Sequence, residues 1–248
     1  MSELQNKIAL VTGGSRGIGA TTAQLLAEKG AKVAISYNSS ADRAKEVVAA
    51  IKAKGGEAIA IQANGADKDA PQKLLEEVVK TWNAGIDILV NNAGTFATGT
   101  LAESGVEVYE KNFDLNVRGV YETTRAALPH FNEDGRIINI GSSVANFAFP
   151  GASAYGATKA AIVGLTRSWA KELAAKRITV NTVHPGSINT EMNPDVPEND
   201  FAAYQKSLNP LGRYGTPREI AATVVFLASP DASFITGSEV TVDGGMTA

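Results

Sequence analysis

Short, wholly apolar runs alternate with amphipathic stretches along the chain, and this alternation restricts the possible fold more than any other feature. The runs lack the polar alternation of strands with one wet face, so each predicts a strand buried on both sides. The amphipathic stretches between them are typical of helices packed on a parallel sheet. The predicted strands are residues 8–11, 33–35, 58–61, 86–90, 136–140, 178–181 and 239–242. The sequence therefore predicts an α/β fold with a doubly wound parallel sheet of about seven strands and helices on both faces.

No linker or change of composition divides the chain, and residues 1–248 are predicted to form a single domain. The absence of cysteine excludes disulfides and thiolate metal sites. The two histidines, His130 and His184, lack ligand spacing, so no metal site is predicted. The net charge of −3 comes without a basic cluster, and nucleic acid is therefore not expected as a partner.

The residues before the first strand lack the apolar core of a signal peptide. No apolar run approaches the ~20 residues that a membrane span requires. A cytoplasmic protein with no membrane partner is therefore predicted.

The regular alternation fails between Pro185 and Pro217, where further prolines interrupt a mostly polar segment. A connection of this length without a clear strand is usually a lid or a binding loop. We expect residues 186–215 to cover a substrate site.

A glycine-rich turn joins the first predicted strand to the first helix. Glycines there permit a tight turn and let backbone N–H groups approach a pyrophosphate at the helix N-terminus. This position indicates a Rossmann-type dinucleotide site. The residues predicted to contact the cofactor in this turn are Gly13, Ser15, Arg16, Gly17, Ile18 and Gly19.

The same turn also fits the G-x-S-x-G pattern of a hydrolase nucleophile elbow. In that alternative Ser15 is the nucleophile and His184 the base. The elbow would lie on the first strand, where no upstream strand or loop supplies the usual oxyanion donor, so this alternative is remote.

The end of the second strand favours NADP(H) over NAD. An acidic residue at this position would bind the ribose 2′-hydroxyl of NAD, but no carboxylate lies between Glu28 and Asp42. The residues expected to contact the cofactor here are Tyr37, Asn38 and Ser39. The next helix begins close by, and the Arg16 guanidinium can bind a 2′-phosphate.

Tyr155 and Lys159 are four residues apart in a segment that reads as helix, so their side chains share one face. A nearby ammonium favours a phenolate and is expected to lower the tyrosine pKa. The pair is therefore a candidate general acid and its partner.

These motifs together resemble the short-chain dehydrogenase/reductase family over essentially the whole chain. Asn116, Ser142, Tyr155 and Lys159 fall where that family has its catalytic tetrad. Ser143 adjoins Ser142, but the family's spacing of thirteen residues to the tyrosine selects Ser142. The resemblance extends the cofactor site to Asn64, Gly65, Asn91, Ala93, Gly94, Tyr155, Lys159, Pro185, Gly186, Ile188 and Thr190. Asn64 stands where many relatives have aspartate, and its carbonyl oxygen is expected to face the adenine amino group.

The resemblance implies that NADPH delivers hydride to a ketone or aldehyde while Tyr155 protonates the oxygen. Ser142 then holds that oxygen, Lys159 binds the ribose and keeps the tyrosine pKa low, and Asn116 holds a water in a proton relay. The family also implies a homotetramer.

The family's 3-oxoacyl-carrier-protein reductases are the alternative function. Those enzymes bind an acidic carrier through basic residues near the active-site mouth, whereas residues 132–134 here read Asn-Glu-Asp. We therefore expect a reductase of small or medium carbonyl compounds. The side chains that could line its apolar pocket are Phe96, Val144, Phe147, Phe149, Ile188, Met192, Phe201 and Tyr204.

Overall fold

The computed structural model describes residues 3–197 and 199–248. Met1 and Ser2, in the stretch that lacks a signal-peptide core, lie outside the described residues. Glu198, within the predicted lid, does so too.

A seven-stranded sheet forms the centre of the molecule, with every pair of neighbouring strands parallel. Its strands are β1 (Ile8–Val11), β2 (Lys32–Tyr37), β3 (Ala58–Gln62), β4 (Ile86–Asn91), β5 (Phe131–Ile140), β6 (Thr179–Pro185) and β7 (Glu239–Val242). Their order is β3-β2-β1-β4-β5-β6-β7, which confirms the predicted doubly wound sheet.

Helices cover both faces of the sheet. They are α1 (Gly17–Glu28), α2 (Ala41–Ala53), α3 (Ala70–Trp82), α4 (Val106–Phe113), α5 (Val120–Ala127), α6 (Ser153–Glu172), α7 (Asp200–Ser207) and α8 (Pro217–Ala228). None of the described helices is both long and apolar enough to cross a membrane.

Successive side chains of β1 enter two separate cores. Ala9 and Val11 pack in a core with side chains of α1, α2 and α8, whereas Ile8 and Leu10 pack with α3, α5 and α6. Burying one such aliphatic side chain stabilises the fold by about 1.5–3 kcal/mol. This two-sided burial explains why the strands are apolar throughout.

The direction in which strands are added reverses between β1 and β4. The chain adds β2 and β3 on one side of β1, and then β4 to β7 on the other side. Ligands of open α/β sheets bind beyond the carboxyl ends of the strands at such a switch point. The topology therefore places the candidate site at the ends of β1 and β4.

The helix predicted to begin near Asn116 begins ten residues earlier, at Val106, and is interrupted by a π-helical turn at Asp114–Gly119. The first part, α4, is mostly exposed and rich in β-branched and aromatic residues, so its sequence gives little helical signal. π-Helical turns are frequent at functional sites.

Strand β5 begins at Phe131, five residues before its predicted start. The apolar pattern did not mark its first half, because that half is mostly polar, and its pairing with β4 is irregular. Residues 132–134 therefore lie at the amino end of β5, whereas the residues predicted to be catalytic follow its carboxyl end. Arg177 also binds Glu133 and Asp134 at 2.8 and 2.7 Å. The assumption that this acidic segment borders the active-site mouth of the same chain is wrong.

Candidate active site

A cleft of about 690 Å³ opens at the carboxyl ends of the strands, between the glycine turn and the segment after β6. Nearly all of the predicted site residues line it. They are Gly13, Ser15, Arg16, Gly17, Ile18, Gly19, Tyr37, Asn38, Ser39, Asn64, Gly65, Ala93, Gly94, Ser142, Tyr155, Lys159, Pro185, Gly186, Ile188 and Thr190. Asn91 and Asn116 do not line it.

The glycine turn is shaped by its backbone and by a neighbouring asparagine. Gly13 and Gly17 have φ values of 64° and 54°, which favour glycine. A Cβ at Gly13 would lie 2.9 Å from the Ala93 Cα, so the turn packs directly on the loop after β4. Asn92 fixes this contact by donating hydrogen bonds to the carbonyls of Thr12 and Gly13, at 2.8 and 3.0 Å.

The N-terminus of α1 faces this cleft, and none of the described side chains caps it. The first N–H groups of a helix have no partner within the helix, and the helix dipole adds partial positive charge there. The first turn also contains no acidic residue. These features fit the phosphates of a dinucleotide.

Tyr155 and Lys159 lie side by side on α6. The Lys159 Nζ is 5.6 Å from the centre of the Tyr155 ring and donates a 2.9 Å hydrogen bond to the Ile140 carbonyl. The Ser142 hydroxyl interacts with the phenol, and it also accepts a 3.2 Å hydrogen bond from the Val144 N–H. Ser143 instead points its hydroxyl at the Met246 sulfur, 3.9 Å away.

Proteins of known family are similar to this chain in sequence and in fold. A family model described as Enoyl-(Acyl carrier protein) reductase matches residues 13–247. A 3-oxoacyl-[acyl-carrier-protein] reductase of Synechocystis is 45% identical over 249 residues, covering 99% of each chain. A short-chain dehydrogenase/reductase of Serratia marcescens is 45% identical with a TM-score of 0.96, covering 99% of this chain and 100% of that one.

The chain belongs to the short-chain dehydrogenase/reductase family. It is accordingly an oxidoreductase that acts on CH–OH groups. A short-chain dehydrogenase of Burkholderia cenocepacia, solved in complex with NADP, has the same TM-score of 0.96 and 45% identity, with 99% of this chain and 100% of that one covered.

The hydrolase alternative finds no support in this family member. His184 is fully buried, and its Nε2 lies 3.1 Å from the Glu239 carboxylate. Its Nδ1 lies 3.1 Å from the Ser142 nitrogen and 2.8 Å from the Ser142 carbonyl oxygen. Both ring nitrogens therefore have partners other than Ser15.

Burial dominates the electrostatics of the pair in this dehydrogenase/reductase. Burial raises the pKa of the Tyr155 phenol, and the hydrogen bond with Ser142 offsets only part of the rise. Burial also lowers the pKa of Lys159 to about 8. The expectation that Lys159 lowers the tyrosine pKa is therefore not met, because desolvation outweighs the other effects at the partly buried phenol.

The side chains of two residues predicted to contact the cofactor, Asn91 and Asn64, already bind groups of the protein. Asn91 turns into the core of the sheet, where its Nδ2 donates to Thr124 and Asn139 at 3.0 and 2.8 Å. Its neighbour Asn92 lines the cleft instead. The Asn64 side-chain oxygen accepts a 3.1 Å hydrogen bond from the Ala66 N–H, so it already has a partner within its own turn.

Asn116 engages protein groups with both atoms of its amide. Its oxygen accepts from the Thr95 N–H at 2.8 Å, and its nitrogen donates to the Thr95 carbonyl at 2.9 Å and to Thr158 at 3.2 Å. The side chain therefore holds backbone in place, and the role of Asn116 in holding a water stays a prediction.

The side chains predicted to form an apolar pocket all line the cleft, and Ile188 is the most buried of the aliphatic ones. Met246, from the C-terminal end of the chain, also lines it and was missed. No local pattern marks Met246, because only the position of β7 brings it to the site. Among the described residues, no group of three or more histidine, aspartate or glutamate side chains is arranged as a metal site.

The low pKa of Lys159 predicts how the stability of the cofactor-free protein depends on pH. The ammonium titrates at about 8 when folded and at 10.5 when unfolded, so the unfolded chain holds more protons between these values. Stability must therefore rise with pH through this window. From about pH 7 to about pH 9.5 the gain should be roughly 2 kcal/mol, and Lys159→Met should lack it.

Guanidinium unfolding at the two pH values measures this difference. Lys171→Met, which removes an exposed lysine from the same helix, should keep the pH dependence of the wild type. The same pH dependence in Lys159→Met and the wild type would contradict the prediction.

Proposed function

We propose that this enzyme reduces the carbonyl of a ketone or aldehyde to an alcohol, with NADPH bound in the cleft. The observation that carries the proposal is a partly buried phenol, Tyr155, beside the hydroxyl of Ser142 and the ammonium of Lys159, in one cleft with the glycine turn. A bound nicotinamide cofactor supplies the hydride in such a reaction.

Tyr155 is proposed as the general acid. Because burial raises its pKa, the phenol keeps its proton at neutral pH, which is the form that donates to a carbonyl oxygen. The Ser142 hydroxyl is proposed to donate a hydrogen bond to the same oxygen. Lys159, fixed by the Ile140 carbonyl, supplies a positive charge that stabilises the phenolate left after proton transfer.

NADP(H) is the proposed cofactor. Arg16, Asn38 and Ser39 line the cleft, and Asn38 and Ser39 connect β2 to the N-terminus of α2. A guanidinium and a helix N-terminus suit a 2′-phosphate. The relative from Burkholderia cenocepacia solved with NADP supports the same choice.

A 3-oxoacyl-carrier-protein thioester is the second candidate substrate. The curated relative from Synechocystis carries that activity in its name, and the acidic residues 132–134 lie away from the cleft of the same chain. The mouth of the cleft is also apolar, with Met192, Phe201 and Tyr204 about half exposed. The kcat/KM for a carrier-bound 3-oxoacyl thioester, compared with the values for a series of free ketones and aldehydes, separates the two candidates.

Residues 186–215 are proposed as the lid within a single domain spanning 1–248. Contacts within the described part of the lid include a hydrogen bond from Asn193 to Gln205 at 2.9 Å and an ion pair of Lys206 with Asp195. The helix α7 inside it, which the sequence did not predict, begins after Asn199, whose side chain accepts from the Phe201 N–H. Its Phe201 and Tyr204 reach the cleft.

A homotetramer is the proposed assembly. Val106, Tyr109 and Tyr121 are exposed on α4 and α5, and Phe234 is fully exposed before the edge strand β7. Such surfaces are frequent at subunit contacts. Sedimentation velocity measures the assembly, and the cytoplasmic location stays a prediction that cell fractionation can examine.

Tyr155→Phe should lower ketone-dependent NADPH oxidation by a factor on the order of 10²–10⁴, because it removes only the proton donor. NADPH binding, followed by fluorescence titration, should remain close to that of the wild type. Tyr121→Phe, which changes a tyrosine outside the cleft, should keep full turnover. Substantial activity in Tyr155→Phe would exclude the proposed role.

Arg16→Ala should raise the KM for NADPH about tenfold and leave that for NADH nearly unchanged, because only NADPH has the 2′-phosphate. Steady-state kinetics with each cofactor measures this ratio. Arg125→Ala, which removes an exposed arginine of α5, serves as the control. An equal loss with both cofactors would assign Arg16 a role other than phosphate recognition.

A further inference from the structure

Two asparagines one helical turn apart hold the extended segment that leaves β4. The Asn116 side chain binds both the N–H and the carbonyl of Thr95. The Asn112 side chain does the same for Ala97. The Asn112 oxygen accepts from the Ala97 N–H at 3.2 Å, and its nitrogen donates to the Ala97 carbonyl at 2.9 Å. The two side-chain amides thus take the place of a neighbouring strand.

Asn112 is committed to this contact. Its side chain is fully buried, and its second N–H donates to the Val108 carbonyl at 2.8 Å, inside α4. Its acceptor and both donors therefore have partners. Losing a partner of a buried polar group is costly, so the segment at Ala97 depends on this amide.

The contacts of Asn112 and Asn116 with this segment, together called the clamp, restrict the direction of Phe96. The peptide groups of Thr95 and Ala97 are held against the helix, and successive side chains of an extended segment alternate, so Phe96 points to the face opposite the side chains of Thr95 and Ala97. The Phe96 ring there contacts Tyr155 edge to face, with centroids 4.7 Å apart and planes at 77°. It also lies 6.3 Å from the Phe149 ring.

We propose that Asn112 is a positioning residue that holds Phe96 against Tyr155 and thereby sets the width of the substrate opening beside the phenol. The inference rests on the proposed carbonyl reduction. It predicts that the enzyme prefers ketones with a small or flat substituent on the Phe96 side. A loosened Phe96 would admit bulkier ketones.

Asn112→Ser tests this role by removing the amide and retaining a small polar group. In the wild-type background it should shift the ratio of kcat/KM for benzophenone to that for acetophenone about tenfold towards the bulkier ketone. In a Phe96→Ala background the same substitution should change that ratio less than about twofold, because the ring it positions is gone. Equal shifts in both backgrounds would overturn the inference.

Asn181→Ser is the matched control. Asn181 is also buried, and its amide also clamps backbone, through the Ile235 carbonyl at 2.7 Å and the Ser238 N–H at 3.1 Å. Its partners lie outside the cleft. Asn181→Ser should lower the stability of the protein without changing the ratio of kcat/KM for benzophenone to that for acetophenone. A shift in this ratio like that of Asn112→Ser would show that general destabilisation causes the shift, and would overturn the inference.

A second readout needs no activity. Fluorine NMR of protein containing 4-fluorophenylalanine, with the Phe96 line assigned by Phe96→Leu, reports the ring next to Tyr155. The line should shift in Asn112→Ser and stay in place in Asn181→Ser, and an unmoved line in folded Asn112→Ser overturns the inference. A shifted line in a protein that reduces no ketone would instead overturn the proposed function, and with it the selectivity role of the clamp.

Discussion

Burial of the sheet on both faces is the constraint on which the rest of the structure depends. With helices on both sides, the strands have room for apolar side chains along their length and for polar chemistry at their ends. The reversal of strand order between β1 and β4 opens a crevice at the carboxyl ends. The glycine turn, Ser142 and the loop with Phe96 all follow strands at this edge, and α6 brings Tyr155 beside them.

Asparagine side chains connect the loops that meet at this edge. Asn92 ties the glycine turn to the loop after β4, and Asn112 and Asn116 tie that loop to the helix after it. An amide can both accept from and donate to a peptide group, so it can replace a missing strand neighbour. The π-helical turn carries Asn116 and directly follows α4, which carries Asn112. The cleft is in this way shaped by side-chain hydrogen bonds that supplement the backbone hydrogen bonds of the helices and strands.

The same burial governs the chemistry. Lys159 is buried and Tyr155 partly so, and this desolvation disfavours their charged forms, so the phenol holds its proton more firmly and the ammonium less firmly. Helical spacing alone predicted a phenol activated by its neighbour's charge. The difference arises because desolvation raises the free energy of the phenolate itself, an effect that helical spacing does not reveal.

The sequence alone determined the alternation of strands and helices, the glycine turn and the Tyr155/Lys159 pair, because local periodicity and spacing encode them. It did not reveal the start of α4 at Val106, the polar first half of β5 or the position of Met246. Their signals depend on contacts between residues far apart in the chain. Only the tertiary structure decided which polar atoms are paired, that residues 132–134 lie at the amino end of β5, and in which direction burial shifts the two pKa values. Desolvation and long-range hydrogen bonds have no local pattern in a sequence, and they exist only once the sheet and its helices have packed.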